Sequence, residues 1–127
     1  MRHVAGRHVL AVDNDPDALD ALRQVLVGWG CSVAIAADGA SADAALRERD
    51  ADLWLFDYHL DAGDTGVALA GRLRAVHGQR PCLILSADQT DAVRRAVRDA
   101  DLPLLAKPVR PLALKSVLDR LLAARAM

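Results

Sequence analysis

Polar residues able to do chemistry stand at the ends of the apolar runs of this chain. Asp13, Asn14 and Asp15 follow HVLAV, Asp57 follows LWLF, Ser86 closes CLILS, and Lys107-Pro108 follows LPLLA. An acid directly after four apolar residues, as Asp57 is, is costly unless it is paired or bound to a cation. Two or three carboxyl or carboxamide oxygens gathered in one shielded pocket suit a hard cation such as Mg²⁺, which takes a few protein oxygens together with waters and phosphate oxygens. A carboxylate beside that cation can act as a nucleophile toward a phosphoryl group and give an aspartyl phosphate. A lysine ammonium and a serine hydroxyl would hold the remaining phosphoryl oxygens, because positioning and charge neutralisation are most of what phosphoryl transfer needs. Each residue also has a plainer reading. Asp15 next to Pro16 reads better as a helix cap than as a ligand, and Asp13 less so. Ser86 can be an ordinary strand-end hydroxyl, and Lys107 a surface lysine.

These residues converge only if the chain places its strand ends side by side. The runs HVLAV (8–12), CSVAIAA (31–37), LWLF (53–56), CLILS (82–86) and LPLLA (102–106) read as five strands. Amphipathic stretches separate them. Pro16 opens a helix with Leu19, Leu22, Val25, Leu26 and Trp29 on one face and a stop at Gly28 and Gly30. Ser41 opens an alanine-rich helix through about Arg49. A third helix runs from Gly66 to about Val76, with Val67, Ala70, Leu73 and Val76 inward. The fourth, from Thr90 to Ala100, turns Val93, Ala96, Val97 and Ala100 inward and Arg94, Arg95 and Arg98 outward, a set that reads as a solvated face before a docking patch. Pro111 opens the last helix, with Leu114, Val117, Leu118, Leu121 and Leu122 as its stripe. Five strands alternating with five helices predict an α/β fold, a doubly wound (βα)5 flavodoxin-like three-layer sandwich whose parallel sheet is buried on both faces. In the order 2-1-3-4-5 the first and third strands are neighbours, so Asp13, Asn14 and Asp57 meet at the switch point with Ser86 and Lys107 beside them.

Composition narrows the classes of function. The 127 residues are 53% hydrophobic and 26% charged, which places them with folding chains and predicts one domain over 1–127. Sixteen Lys and Arg against seventeen Asp and Glu give a net charge of −1, so there is no basic field to hold a nucleic-acid backbone directly. The longest uncharged stretch, Gln24 to Ala37, is too short and too polar to span a bilayer, so no membrane contact is expected. The start, MRHVAGRHVLAVD, lacks the apolar region of a secretory signal, which predicts a cytoplasmic location. Cys31 and Cys82 are too few, and too embedded in apolar sequence, for a disulfide framework or a metal site.

From VLAVDNDP (9–16) through LWLFDYHLD (53–61) and LILSA (83–87) to LAKPV (105–109), the chain resembles the receiver domains of two-component response regulators. Each motif alone is common; the four in this order, at strand ends and in a chain of receiver length, carry the resemblance together. It implies that Asp57 is the phosphoacceptor, that Asp13 positions Mg²⁺ through water, and that the backbone carbonyl of His59 is a metal ligand. Asn14 stands at the second acidic position, where the family usually has a metal-ligating Asp. Ser86 matches the hydroxyl that turns toward the phosphoryl group, and Lys107 the family's lysine, with Pro108 following a cis peptide bond. The combination of VDNDP, GWGC, DYHLD and LPLLAKPV looks most like the receivers at the carboxyl ends of hybrid sensor histidine kinases.

Three departures qualify what the resemblance implies. Asn14 removes one negative charge, which predicts weaker Mg²⁺ binding while leaving an amide oxygen to coordinate. Leu104 stands where many receivers carry the Tyr or Phe that swings inward on activation. The loop YHLDAGDTG lacks the frequent Met-Pro pair and is one residue longer than common versions. The side chain of His59 is either solvated or controls water access. The resemblance thus implies a phosphorelay module rather than a dedicated enzyme, one that takes a phosphoryl group from a histidine kinase or phosphotransfer domain, hydrolyses it slowly with Mg²⁺ and alters a protein contact; a homodimer is compatible with it. Two readings stand beside it. One is a pseudo-receiver interaction domain, unregulated by phosphorylation because of Asn14; the other is a small acid-nucleophile phosphatase, which the missing cap insertion disfavours.

Overall fold

The computed structural model describes residues 4–126. Five parallel strands, β1 (His8–Val12), β2 (Ser32–Ala36), β3 (Leu53–Asp57), β4 (Cys82–Ser86) and β5 (Leu104–Ala106), lie in the order β2-β1-β3-β4-β5. The helices α1 (Pro16–Gly28), α2 (Gly39–Glu48), α3 (Gly66–His77), α4 (Asp91–Asp99) and α5 (Pro111–Ala126) connect and cover them. This is the expected doubly wound fold.

The unbroken apolar runs of the central strands follow from burial on both faces. Leu10, Val12, Trp54, Phe56, Cys82 and Ile84 pack with α2, α3 and α4 on one side. Their neighbours Val9, Leu53, Leu55, Leu83 and Leu85 pack with α1 and α5 on the other. Trp54 and Phe56 are completely buried and stack with ring centroids 5.5 Å apart. Each such side chain contributes about 2 kcal/mol of burial, which fixes β3 and with it the residue at its end.

The edges depart from the expectation of strands buried on both sides. β2 pairs only with β1, and Ile35 is 41% exposed. β5 is shorter than the expected 102–106: the Leu102 amide is drawn to the Val97 carbonyl of α4, and Pro103 contributes only its carbonyl, to Ile84 N. Helix ends differ too. α2 starts before Ser41, because Asp38 is the cap: its carboxylate accepts from Ser41 N at 2.8 Å, and the Ser41 hydroxyl reaches back to Asp38 N. In α1, Gly28 stays helical and Gly30 makes the turn with φ +92°, donating to Val27 O at 2.9 Å. Trp29 is half-buried at that corner. Val76, expected to face inward, is 72% exposed; the buried stripe of α3 is Gly66, Leu69, Ala70 and Leu73, and ends one turn earlier. Val93 and Val97 anchor α4 while Arg94, Arg95 and Arg98 face solvent, and Leu114, Leu118 and Leu122 anchor α5. Among the described residues no helix is long and apolar enough to cross a membrane.

Candidate functional site

Three strand ends bring three charged side chains to one point. Asp13 directly follows β1, and its N–H donates to Ala36 O across the β1–β2 seam. Asp57 is the last residue of β3, in register with Leu85 of β4. Lys107 directly follows β5, and its N–H donates to Ser86 O at 2.9 Å. From that anchor the lysine side chain crosses β4 to reach both acids: Nζ lies 2.7 Å from Asp13 Oδ2 and 3.3 Å from Asp57 Oδ1. Asp13 Oδ1 accepts from Asp15 N at 2.9 Å, so the same carboxylate shapes the turn into α1. Asp15 in turn caps α1 by accepting from Asp17 N, the plainer of its two readings.

The electrostatics follow from two largely buried carboxylates sharing one ammonium. The side chains of Asp13 and Asp57 are 8% and 14% exposed. Burial, and then the charge of Asp13, hold the Asp57 carboxyl above the usual carboxylate range, with Lys107 acting in the opposite direction. Burial works against the Lys107 charge, but the hydrogen bond to Asp13 and the charges of Asp57 and Asp13 outweigh it, so its pKa is raised. One negative charge is left over. An all-oxygen donor set with residual negative charge fits a hard divalent cation, which would lower the cost of ionising Asp57.

The other expected site residues lie around this centre. Asn14 sits at the exposed rim, and its Nδ2 donates to Asp61 Oδ1 at 2.9 Å. The β3–α3 loop folds into a short antiparallel bridge, His59 opposite Thr65, closed by Gly66 N to Tyr58 O at 2.8 Å and Leu60 N to Asp64 O at 2.9 Å. Those two ladder bonds flank His59, so neither uses its carbonyl. The His59 ring is neither wholly solvated nor turned into the pocket: Nε2 pairs with Asp88 Oδ2 at 2.8 Å, strapping the β3–α3 loop to the β4–α4 loop. That partner and the Thr90 amide hold the Asp88 carboxyl down at about 2. Ser86 is buried at the end of β4, but its hydroxyl belongs to the β4–α4 turn, donating to Asp88 O at 2.9 Å and accepting from Asp88 N at 3.0 Å. The Lys107-Pro108 bond is cis. Leu104 packs against the α2–α4 side of the core.

Asp61, Asp88 and Gly66 escape a sequence reading. Gly66 has a clear physical reason: a Cβ there would overlap the Asp57 carbonyl oxygen and meet Phe56 Cβ at 3.1 Å, so α3 starts closer to β3 than any side chain permits. The signal in the sequence is the glycine opening a helix just after DAGDT. Asp88 is signalled by S-x-D-x-T, an acid placed to organise a turn before the cap Thr90.

The family model for the response regulator receiver domain matches residues 9–119. The chain belongs to the response regulator receiver family. Curated relatives of this receiver domain include the transcriptional regulatory protein ZraR of Salmonella typhimurium, 33% identical over 116 residues, covering 91% of this chain and 26% of that protein. The DNA-binding response regulator MtrA of Mycolicibacterium smegmatis is 36% identical over 107 residues, 83% of this chain and 46% of MtrA. The receiver thus spans less than half of each. Among solved structures, a CheY-like receiver domain from Methanospirillum hungatei superposes with a TM-score of 0.84 at 23% identity, covering 94% of this chain and 96% of that one. Vibrio cholerae CheY4 superposes with a TM-score of 0.82 at 25% identity, covering 92% and 99%. These curated relatives are regulators rather than hybrid kinases, so they lend no support to the narrower resemblance to hybrid-kinase receivers.

Proposed function

We propose that residues 1–127 form one receiver domain of a two-component phosphorelay, in which Asp57 takes a phosphoryl group from the phosphohistidine of a histidine kinase or phosphotransfer domain. The observation that carries this reading is the triad at the sheet's carboxyl edge, Asp57 beside Asp13 with Lys107 between them. An Asp57 carboxylate oxygen attacks phosphorus, the P–N bond to the donor imidazole breaks, and the imidazole leaves with its electron pair and takes up a proton. Asp13, Asp57, the Asn14 side-chain oxygen and the His59 carbonyl would hold Mg²⁺. When bound, Mg²⁺ supplies positive charge to the transferring phosphoryl oxygens.

The chain's own groups do the rest. Lys107, already at both acids, follows the new charge to a phosphoryl oxygen. Ser86 reaches the phosphoryl group by releasing Asp88. Phosphorylation adds about −1.5 to −2 charges at the strand ends, which biases the β4–α4 surface between two arrangements and so alters a protein contact. Leu104 removes the aromatic switch, so the readout rests on the β4–α4 loop. Placement within a cytoplasmic hybrid sensor kinase rests on VDNDP, GWGC, DYHLD and LPLLAKPV alone; a kinase core in the same polypeptide supports it, and a fused DNA-binding domain refutes it.

The test is incubation with acetyl phosphate with and without Mg²⁺, read by intact mass, with Asp57→Asn as control. A Mg²⁺-dependent, base-labile adduct absent from the control is expected. No adduct at any Mg²⁺ concentration refutes the phosphoacceptor reading and favours the pseudo-receiver.

A further inference from the structure

We infer that Asp61 is a positioning residue for the proposed metal site: it selects which end of the Asn14 carboxamide is presented to a divalent cation. The inference rests on the metal reading of the preceding section and adds a residue that neither the motifs nor the relatives assign. A carboxamide has a donor end and an acceptor end. Only the oxygen can ligate a cation; the NH₂ group repels it. An aspartate at position 14 would offer two equivalent oxygens, so an asparagine there needs its orientation set.

Asp61 sets it. An ionised carboxylate can only accept hydrogen bonds, so the contact at 2.9 Å between Asn14 and Asp61 Oδ1 must use the amide nitrogen. The oxygen is left as the end available to a ligand, and the assignment follows from chemistry and not from an arbitrary choice of rotamer. The loop that carries Asp61 is built to hold it there. Leu60 is buried beside it, the chain reverses through Ala62 at φ +59° and Gly63 at φ +76°, and Asp64 N returns to Asp61 O at 3.2 Å. Asp64 is itself clamped by Arg72 through two hydrogen bonds, at 3.0 and 2.7 Å. The loop thus places an acid against the one side chain of the proposed metal site that is a carboxamide.

The test is a double-mutant cycle on Mg²⁺ affinity, measured with MgCl₂ by calorimetry and by the fluorescence of Trp54, which lies on β3 three residues before Asp57. Asp61→Ala in the Asn14 background should weaken Mg²⁺ binding by about tenfold, the low end of what loss of an outer-sphere partner costs. In the Asn14→Asp background the same change should leave affinity unaltered or raise it, since two adjacent carboxylates no longer need, and in fact resist, each other. Unchanged affinity in Asp61→Ala overturns the inference. Equal weakening in both backgrounds also overturns it, because that is the signature of a distant charge and not of orientation. Either result leaves the proposed function standing. An absence of Mg²⁺ binding by the wild-type chain overturns both the inference and the metal-dependent reading.

Discussion

A carboxylate held beside another carboxylate must be neutralised, and Lys107 neutralises only one of two. Burial and Asp13 raise the Asp57 pKa above its unfolded value near 3.8, so between the two values the folded state binds the extra proton. Stability contributed at Asp57 is therefore highest in acid, falls as pH rises through that window, and stays low at neutral pH. Lys107, whose pKa is also raised, follows the same rule in a higher window: its contribution is complete below 10.5 and is lost as pH rises into strong alkali. Asp57→Asn should then raise the melting temperature at pH 7 without Mg²⁺ by about 3 °C, roughly what 1 kcal/mol does in a domain of this size. The gain should vanish below pH 4 and shrink when millimolar Mg²⁺ stabilises the wild type. Calorimetric melting across pH checks this, and an unchanged or lower melting temperature at pH 7 contradicts it. Asp57, Asp13 and Lys107 are legible in the sequence because each directly follows an apolar run, where a charge is costly unless it is paired or bound. Asp61 is not, because its approach to Asn14 depends on Ala62 adopting a left-handed conformation that nothing about alanine foretells.

At the scale of elements, the site is only as well placed as the junction of β3 with α3. Gly66 opens α3 against the backbone of Asp57, and its N–H closes the loop on Tyr58 O. Gly66→Ala should destabilise the domain by about 1–3 kcal/mol, the usual range for overpacking a tight contact. It should also slow phosphorylation by acetyl phosphate, because the added methyl displaces the Asp57 carbonyl. Gly71→Ala, on the exposed side of the same helix with open space around it, should do neither. Denaturant titration together with the initial rate of adduct formation separates the two variants. The order and type of every strand and helix can be read from periodicity, because both faces of the central strands and one face of each helix need apolar residues. What periodicity cannot show is where an element leaves the core. The spacing of three and four continues to Val76 although the buried face of α3 has already ended at Leu73, and the run CSVAIAA reads as buried although β2 is an edge.

For the whole molecule, the question is how a charge at Asp57 reaches a surface when Leu104 stands in place of an aromatic switch. Under the proposed function, the hydroxyl of Ser86 would be the connecting group. It satisfies both the carbonyl and the N–H of Asp88, while Asp88 caps the turn by accepting from Thr90 N at 2.9 Å and pairs with His59 on the neighbouring loop. Moving that hydroxyl to a phosphoryl oxygen therefore removes the acceptor of the Asp88 amide and loosens the turn that starts α4. Hydrogen exchange at Asp88–Thr90 should speed up by about an order of magnitude when the chain is phosphorylated, the loss of roughly one hydrogen bond's worth of protection. Exchange in β1 and β3 should not change, since their amides are locked in the sheet. Ser86→Ala separates cause from coincidence: its loop should exchange fast before phosphorylation and show no further acceleration after it, although Asp57 still forms the adduct. If the loop of Ser86→Ala is slow at rest and still accelerates on phosphorylation, the signal leaves the site by some route other than this hydroxyl.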